Sequence, residues 1–196
     1  VDRKSPTLGK AAPKNAKVLF GGKGTDRFSD GKKLDGELLK EGVVSMDSFG
    51  DFTLHLEFRT PYKPKTKPSS QDRGNSGVYI FNNYETQILD SFGIKGEFNF
   101  CGALYRKKPP AVNMCLPPLA WQTYDIEFTT PRFKDGKKVK NARITTRHNG
   151  VLIHDDFELD KGTGAGGGRP EKEKGQIHLQ GHGNPVRFQN IWLVEK

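Results

Sequence analysis

Cysteine is scarce in this chain, and so is any long apolar run. Two cysteines, Cys101 and Cys115, in 196 residues exclude a disulfide-dense scaffold, and their spacing fits neither a CxxC redox pair nor a four-ligand zinc site. No apolar stretch approaches the length that spans a bilayer, and the start, VDRKSPTLGKAAPKNAK, lacks the apolar core of a signal peptide. We therefore expect no membrane span and, for an exported protein, a signal already removed. Long amphipathic helical periodicity is also missing. The histidines and carboxylates show no close ligand spacing, so no residue is assigned to a metal. The GGKG after Phe20 lacks the GxxxxGK[ST] spacing and the following helix of a phosphate loop.

What is present is glycine (23), proline (12) and phenylalanine (13) on a background of only 33% hydrophobic residues. That composition suits many short strands joined by turns and irregular loops, and the length suits one core. We read residues 1–17 as an extended or partly ordered arm and 18–196 as a single domain. The formal charge of +9 raises nucleic acid, anionic polysaccharide or a membrane surface as partners. The lysines, however, gather in loops such as PYKPKTKPSSQDR and RFKDGKKVK with no nucleic-acid motif beside them, so we expect none bound.

Strand patterning is clearest in GDFTLHLEFRT, where Phe52, Leu54, Leu56 and Phe58 alternate with Asp51, Thr53, His55, Glu57 and Arg59. One face is core. The polar face is either a solvated outer surface or one wall of a cleft. The stretch GNSGVYIFNNYETQILD reads as a hairpin turning at Asn82–Asn83, with Glu85 and Gln87 sharing a face and Asn75 just before it. A carboxylate and an amide two residues apart, flanked by aromatics, make a poor core strand and a plausible floor for a sugar cleft. The segment from Asp90 to Leu119 is long and irregular, a lid or cleft wall. Cys101 and Cys115 lie within it. As a disulfide they would stabilise by roughly 3 kcal/mol in the chain-entropy model; two buried thiols are the alternative. WQTYDIEF resumes alternation, with Trp121 as an anchor, and HNG at 148–150 signals a tight hairpin. The GTGAGGG run reads as a flexible surface loop. In QIHLQGHGNPVRFQNIWL, Gln176, His178 and Gln180 alternate with core residues, His182 and Asn184 follow, and Phe188, Ile191, Trp192 and Leu193 close the core.

Taken in order, GDFTLHLEFR, GNSGVYIF, YETQILDS, CGALYRKKPPAVNMC, WQTYDIEF, HNGVLIHD and QIHLQGHGNPVRFQNIWL resemble the 3-keto-disaccharide hydrolase domain family over about Val18 to Val194. The resemblance implies an all-β fold, a concanavalin-like jelly-roll sandwich of two antiparallel sheets. It also implies a secreted or periplasmic protein whose concave face handles carbohydrate. The implied activity is cleavage of glycosides already oxidised to a ketone at sugar carbon 3, with a separate sugar dehydrogenase as the source of that substrate. The jelly-roll glucanases carry two acids four residues apart on one strand; four beyond Glu85 stands Leu89, so that pair is missing. A ketone at carbon 3 acidifies the proton at carbon 2, and elimination followed by water addition needs one base and an acid rather than a matched carboxylate pair.

On this reading Glu57 and Glu85 converge on the concave face, one as base, with His182 or Tyr105 assisting the leaving group. Arg59, Asn75, Gln87, Gln180 and Asn184 hold hydroxyls or the ketone. No cofactor is implied, although related sandwiches hold a structural calcium through loop oxygens. The rival reading is a lectin-like binding module without catalysis.

Overall fold

A computed structural model describes residues 4–22, 27–29 and 34–196; Lys23 and Gly24 of the GGKG stretch lie outside them. The strands are β1 (Lys17–Phe20), β2 (Leu34–Asp35), β3 (Leu38–Lys40), β4 (Val43–Val44), β5 (Phe52–Arg59), β6 (Ser76–Ile80) and β7 (Tyr84–Ile88). They continue with β8 (Gln122–Thr129), β9 (Arg132–Lys134), β10 (Lys137–Lys140), β11 (Ala142–His148), β12 (Val151–Leu159), β13 (Ile177–Leu179) and β14 (Arg187–Glu195). One sheet runs β12-β11-β8-β5-β14-β3-β2, with β1 also on β14, and a four-stranded sheet runs β4-β13-β6-β7. Every pairing between these strands is antiparallel. The architecture is the jelly-roll sandwich expected from the sequence.

The core lies between the sheets. Phe52, Leu54, Leu56 and Phe58 of β5 and Tyr124, Ile126 and Phe128 of β8 share it with Val78 and Ile80 of β6, Tyr84 and Ile88 of β7, and Ile177 and Leu179 of β13. Strict alternation on each strand is what lets two sheets bury one face apiece. At 149–150 the expected Asn-Gly turn is present, both residues at positive φ (51° and 78°). β3 and β4 belong to different sheets, and Gly42, at φ 80°, turns the chain from one to the other.

Residues 4–16 lie along the outward face of the larger sheet. Ser5 hydrogen-bonds Thr123 (3.0 Å), the Gly9 amide donates to Glu57 Oε1 (2.6 Å), and Trp192 Nε1 donates to the Lys10 carbonyl (3.2 Å). Trp192 therefore faces outward, not into the core as its place among apolar neighbours suggests. The cause is a bulge in β14 between Gln189 and Trp192, with Asn190 at φ 44°, which moves the following residues to the opposite face.

Cys101 and Cys115 are free, buried thiols, and the expected disulfide is not formed. Each sulfur has another partner: Cys101 meets the Tyr124 hydroxyl at 3.2 Å, and Cys115 donates to the Leu89 carbonyl at 3.4 Å.

Candidate functional site

The outward face of the four-stranded sheet carries the polar alternates of β6, β7 and β13. Tyr79 pairs across the ladder with Glu85 on one side and with His178 on the other. A three-residue turn, Phe81 to Asn83, sets this register, with Phe81 and Asn82 both at positive φ (58° and 57°). A two-residue Asn82–Asn83 turn would instead place Ile80 opposite Glu85, because register follows loop length.

Around Glu85 the strands leave a pocket of about 360 Å³ lined by Asn75, Tyr79, Glu85, Tyr105, Arg106, Gly164, Ala165, Gln180 and His182. Its floor depends on Gly77. A Cβ at that position would stand 2.3 Å from Glu85 Oε1, so only glycine lets the carboxylate lie over β6. The irregular segment after Asp90 does form a wall. Gly102 and Ala103 exchange backbone hydrogen bonds with Gln87, and the Tyr105 amide donates to the Glu85 carbonyl (3.1 Å), so this segment runs beside β7 and delivers Tyr105.

The glycine-rich run forms another wall instead of a free loop. The Thr163 amide donates to Asn83 O (2.8 Å), Thr163 Oγ1 accepts from the Glu85 amide (2.7 Å), and Cβ atoms on Gly162 or Gly166 would strike Asn83 O. Glycine is used there for close backbone approach rather than for mobility.

Glu85 is 3% exposed. Burial pushes its carboxyl up to about 7, and a hydrogen bond with Tyr79 pulls back against that rise. The Tyr79 phenol is driven above its usual range by burial and by the adjacent carboxylate. In the amide orientation that satisfies its surroundings, Gln87 donates to Glu85 Oε1 (3.1 Å) and to the Ser76 carbonyl (2.7 Å). Gln180, which lines the pocket, has a buried Oε1 with no partner among the described residues. His178 stacks on Tyr79 with ring centroids 5.8 Å apart, and burial first and the Arg169 charge second hold its imidazole below the ordinary range.

The structure thus brings together Glu85, Asn75, Gln87, Tyr105, Gln180 and His182. Glu57 and Arg59 lie elsewhere, which overturns the expected convergence of the two glutamates. They project from β5 in the larger sheet, on the face turned away from the core, where the arm covers Glu57. Glu57 is 1% exposed and accepts from Gly9, Asn190 (2.8 Å) and Gln189 (2.7 Å). Burial alone would raise its carboxyl, but these bonds and His55 hold it below the usual range. Arg59 stacks over the Trp121 ring at 5.2 Å. Asn184 is buried behind the pocket, accepting from the Gly74 amide (3.1 Å) and Lys63 (3.0 Å) and donating to Asp72 (3.2 Å), so its polar atoms tie loops together.

Tyr79, Arg106 and the Gly164–Ala165 wall escaped the sequence reading. Only the hairpin register carries a signal for Tyr79. Among the described residues no group of three His, Cys, Asp or Glu is placed to hold a metal ion, and no helix is long and apolar enough to cross a membrane.

A family model described as the 3-keto-alpha-glucoside-1,2-lyase-like domain matches residues 15–194. The chain belongs to this lyase-like domain family. A "putative glycosyl hydrolase" from Parabacteroides distasonis ATCC 8503 is 30% identical to this family member, covering 94% of this chain and 85% of that one, with a TM-score of 0.84. A second protein of the same description and organism is 22% identical, covering 92% and 99%, with a TM-score of 0.64, and shares the fold. No curated protein matches the chain. The family match and the 30% identical relative support a carbohydrate-active role.

Proposed function

We propose that this protein cleaves glycosides carrying a ketone at carbon 3, with Glu85 as the base. The observation that carries the reading is a single buried carboxylate on the pocket floor, poised at about 7, with no second carboxylate lining the pocket among the described residues. Displacement by a matched carboxylate pair needs a partner about 5 Å away. Elimination needs one base near its operating pH.

In that route Glu85 removes the proton from carbon 2, whose electrons pass into the carbon 2–carbon 1 bond as the carbon 1–oxygen bond breaks. The leaving oxygen takes a proton from Tyr105 or His182. Water then adds across the new double bond to complete a net hydrolysis. Tyr79 and Gln87 steady the Glu85 carboxylate, and Asn75 and Gln180 present amides to hydroxyls and the ketone. Since the ketone is a prerequisite, a separate dehydrogenase acting at carbon 3 supplies the substrate.

The test is product release from plain disaccharides and their 3-keto derivatives, with wild type beside Glu85→Gln and Glu57→Gln. Cleavage of the keto sugars alone, lost in Glu85→Gln and retained in Glu57→Gln, supports the reading. Binding without cleavage by a folded wild type assigns the pocket to a lectin-like module.

A further inference from the structure

Arginines in this protein are commonly answered by carboxylates: Arg73 by Asp90, Arg132 by Asp51, Arg143 by Asp156 and Glu158, Arg187 by Asp35 and Glu41. Arg106 and Arg169, like Arg59 and Arg147, are not paired with a carboxylate among the described residues; of the four, Arg106 lines the Glu85 pocket and Arg169 lies beside the Asn82 turn that borders it. Arg169 donates to the Asn82 carbonyl (2.9 Å), and its charge is felt by both Tyr79 and His178.

Arg106 is held in an unusual way for an exposed side chain. Its backbone is left-handed (φ 56°), a conformation few non-glycine residues adopt. Its amide is tied to the Phe98 carbonyl at 2.7 Å. The guanidinium lies over the Tyr105 ring, 5.4 Å from its centroid. Tyr105 in turn fits only because residue 164 is glycine; a Cβ there would meet the ring at 2.5 Å. A ring beneath the guanidinium fixes its plane and leaves its N–H edge for a bidentate acceptor. Glu85, the one carboxylate lining the pocket among the described residues, is deeply buried on the floor and makes no ion pair with Arg106, so the guanidinium at the rim keeps its charge unanswered within the pocket.

We propose that the substrate is an acidic keto-glycoside, with an oxyanion on the sugar next to the reacting ring received by Arg106 and favoured by the field of Arg169. The inference rests on the keto-glycoside reading above. Depth decides the assignment: the ring that loses its proton lies over buried Glu85, so exposed Arg106 at the rim meets the neighbouring unit. Carboxylate and sulfate share the chemistry that a guanidinium fork recognises.

The test compares 3-keto disaccharides that differ only at carbon 6 of the leaving sugar, as hydroxymethyl, carboxylate or sulfate ester. The enzymes are wild type, Arg106→Asn, chosen because asparagine tolerates the left-handed backbone, and Arg106→Lys. Wild type is expected to favour the acidic substrates by about tenfold in kcat/KM. The preference shrinks in high salt, falls to about one in Arg106→Asn, and is partly kept in Arg106→Lys. Equal preference for carboxylate and sulfate assigns a general oxyanion site; carboxylate alone assigns a uronate site. A wild-type ratio near one overturns the proposal, as does an equal loss on neutral and acidic substrates in Arg106→Asn, which would put the arginine at the reacting centre. Equilibrium binding of the same sugars to Glu85→Gln reads the charge preference without turnover. Failure of cleavage with a retained acidic preference therefore removes the keto-glycoside reading alone.

Discussion

Replacing Gly77 by alanine tests whether the pocket floor is built around the position of one carboxylate. The added methyl would lie 2.3 Å from Glu85 Oε1, 2.9 Å from Cγ and 3.0 Å from Cδ. Ordinary carbon contacts begin near 3.5 Å, so the carboxylate must retreat by about 1 Å. It then loses its hydrogen bond from Tyr79 or its place over the pocket floor. A misplacement of that size in a catalytic group costs roughly 100-fold, or about 2.7 kcal/mol in the barrier. The backbone has little reason to suffer, because Gly77 is not at positive φ and alanine in a strand gains about 0.5 to 1 kcal/mol over glycine. Gly77→Ala should therefore melt within a few degrees of wild type while kcat on a 3-keto disaccharide falls about 100-fold. Loss of the Tyr79 bond, which lowers the Glu85 pKa, should also move the pH profile upward. Full activity in a folded Gly77→Ala protein would show that Glu85 is not the positioned base.

The pH dependence of kcat/KM should rise with pH and reach half its plateau near 7, where Glu85 ionises. The same raised pKa costs stability as pH climbs from 4.5 through 7. Glu85→Gln should then be more stable than wild type above pH 7, by on the order of 3 kcal/mol, with the gap closing below pH 4.5 in parallel melts. On the other sheet, His55 is raised by Asp125 and Glu57 against the effect of burial, and both carboxylates are lowered. The His55 contribution is present below pH 6.5 and lost as pH rises through its raised value; those of the carboxylates are present above about 4.5 and lost as pH falls through their lowered values. Protection of the Gly9 amide, taken relative to its intrinsic exchange rate at each pH, should be greatest between about pH 4.5 and 6.5; protection unchanged across the range would contradict an electrostatic hold on the arm. Both thiols should resist a disulfide-exchange reagent in the native protein and yield two equivalents on unfolding, since Cys101 is 0% and Cys115 6% exposed. No thiol released on unfolding would indicate the bridge expected for an oxidising compartment.

Alternation made most of the core legible in the sequence. Phe52, Leu54, Leu56, Phe58, Tyr124, Ile126 and Phe128 could be placed by period alone because a sandwich strand exposes one set of side chains to each face. The Asn149–Gly150 hairpin was legible because its backbone geometry is set by two residues. Trp192 was not, since the bulge at Asn190 reverses facing without changing composition. The glycine-rich run misled for a related reason: glycine allows both mobility and close contact, and only the position of Asn83 O decides between them.

The candidate site divides in the same manner. The sequence by itself determined that Glu85 and Gln87 share a polar face and that Glu57 shares one with Arg59, because both statements concern neighbours on one strand. It also carried the jelly-roll class through the order of its motifs. Which sheet each strand joins was decided by the tertiary structure, and with it the separation of Glu57 from Glu85. Pairing partners, loop length and the crossover at Gly42 fix that choice, and each depends on contacts between residues far apart in the chain. Tyr79 came to Glu85 through a register that one turn residue would have shifted, and Tyr105 and Arg106 through a segment with no strand pattern of its own.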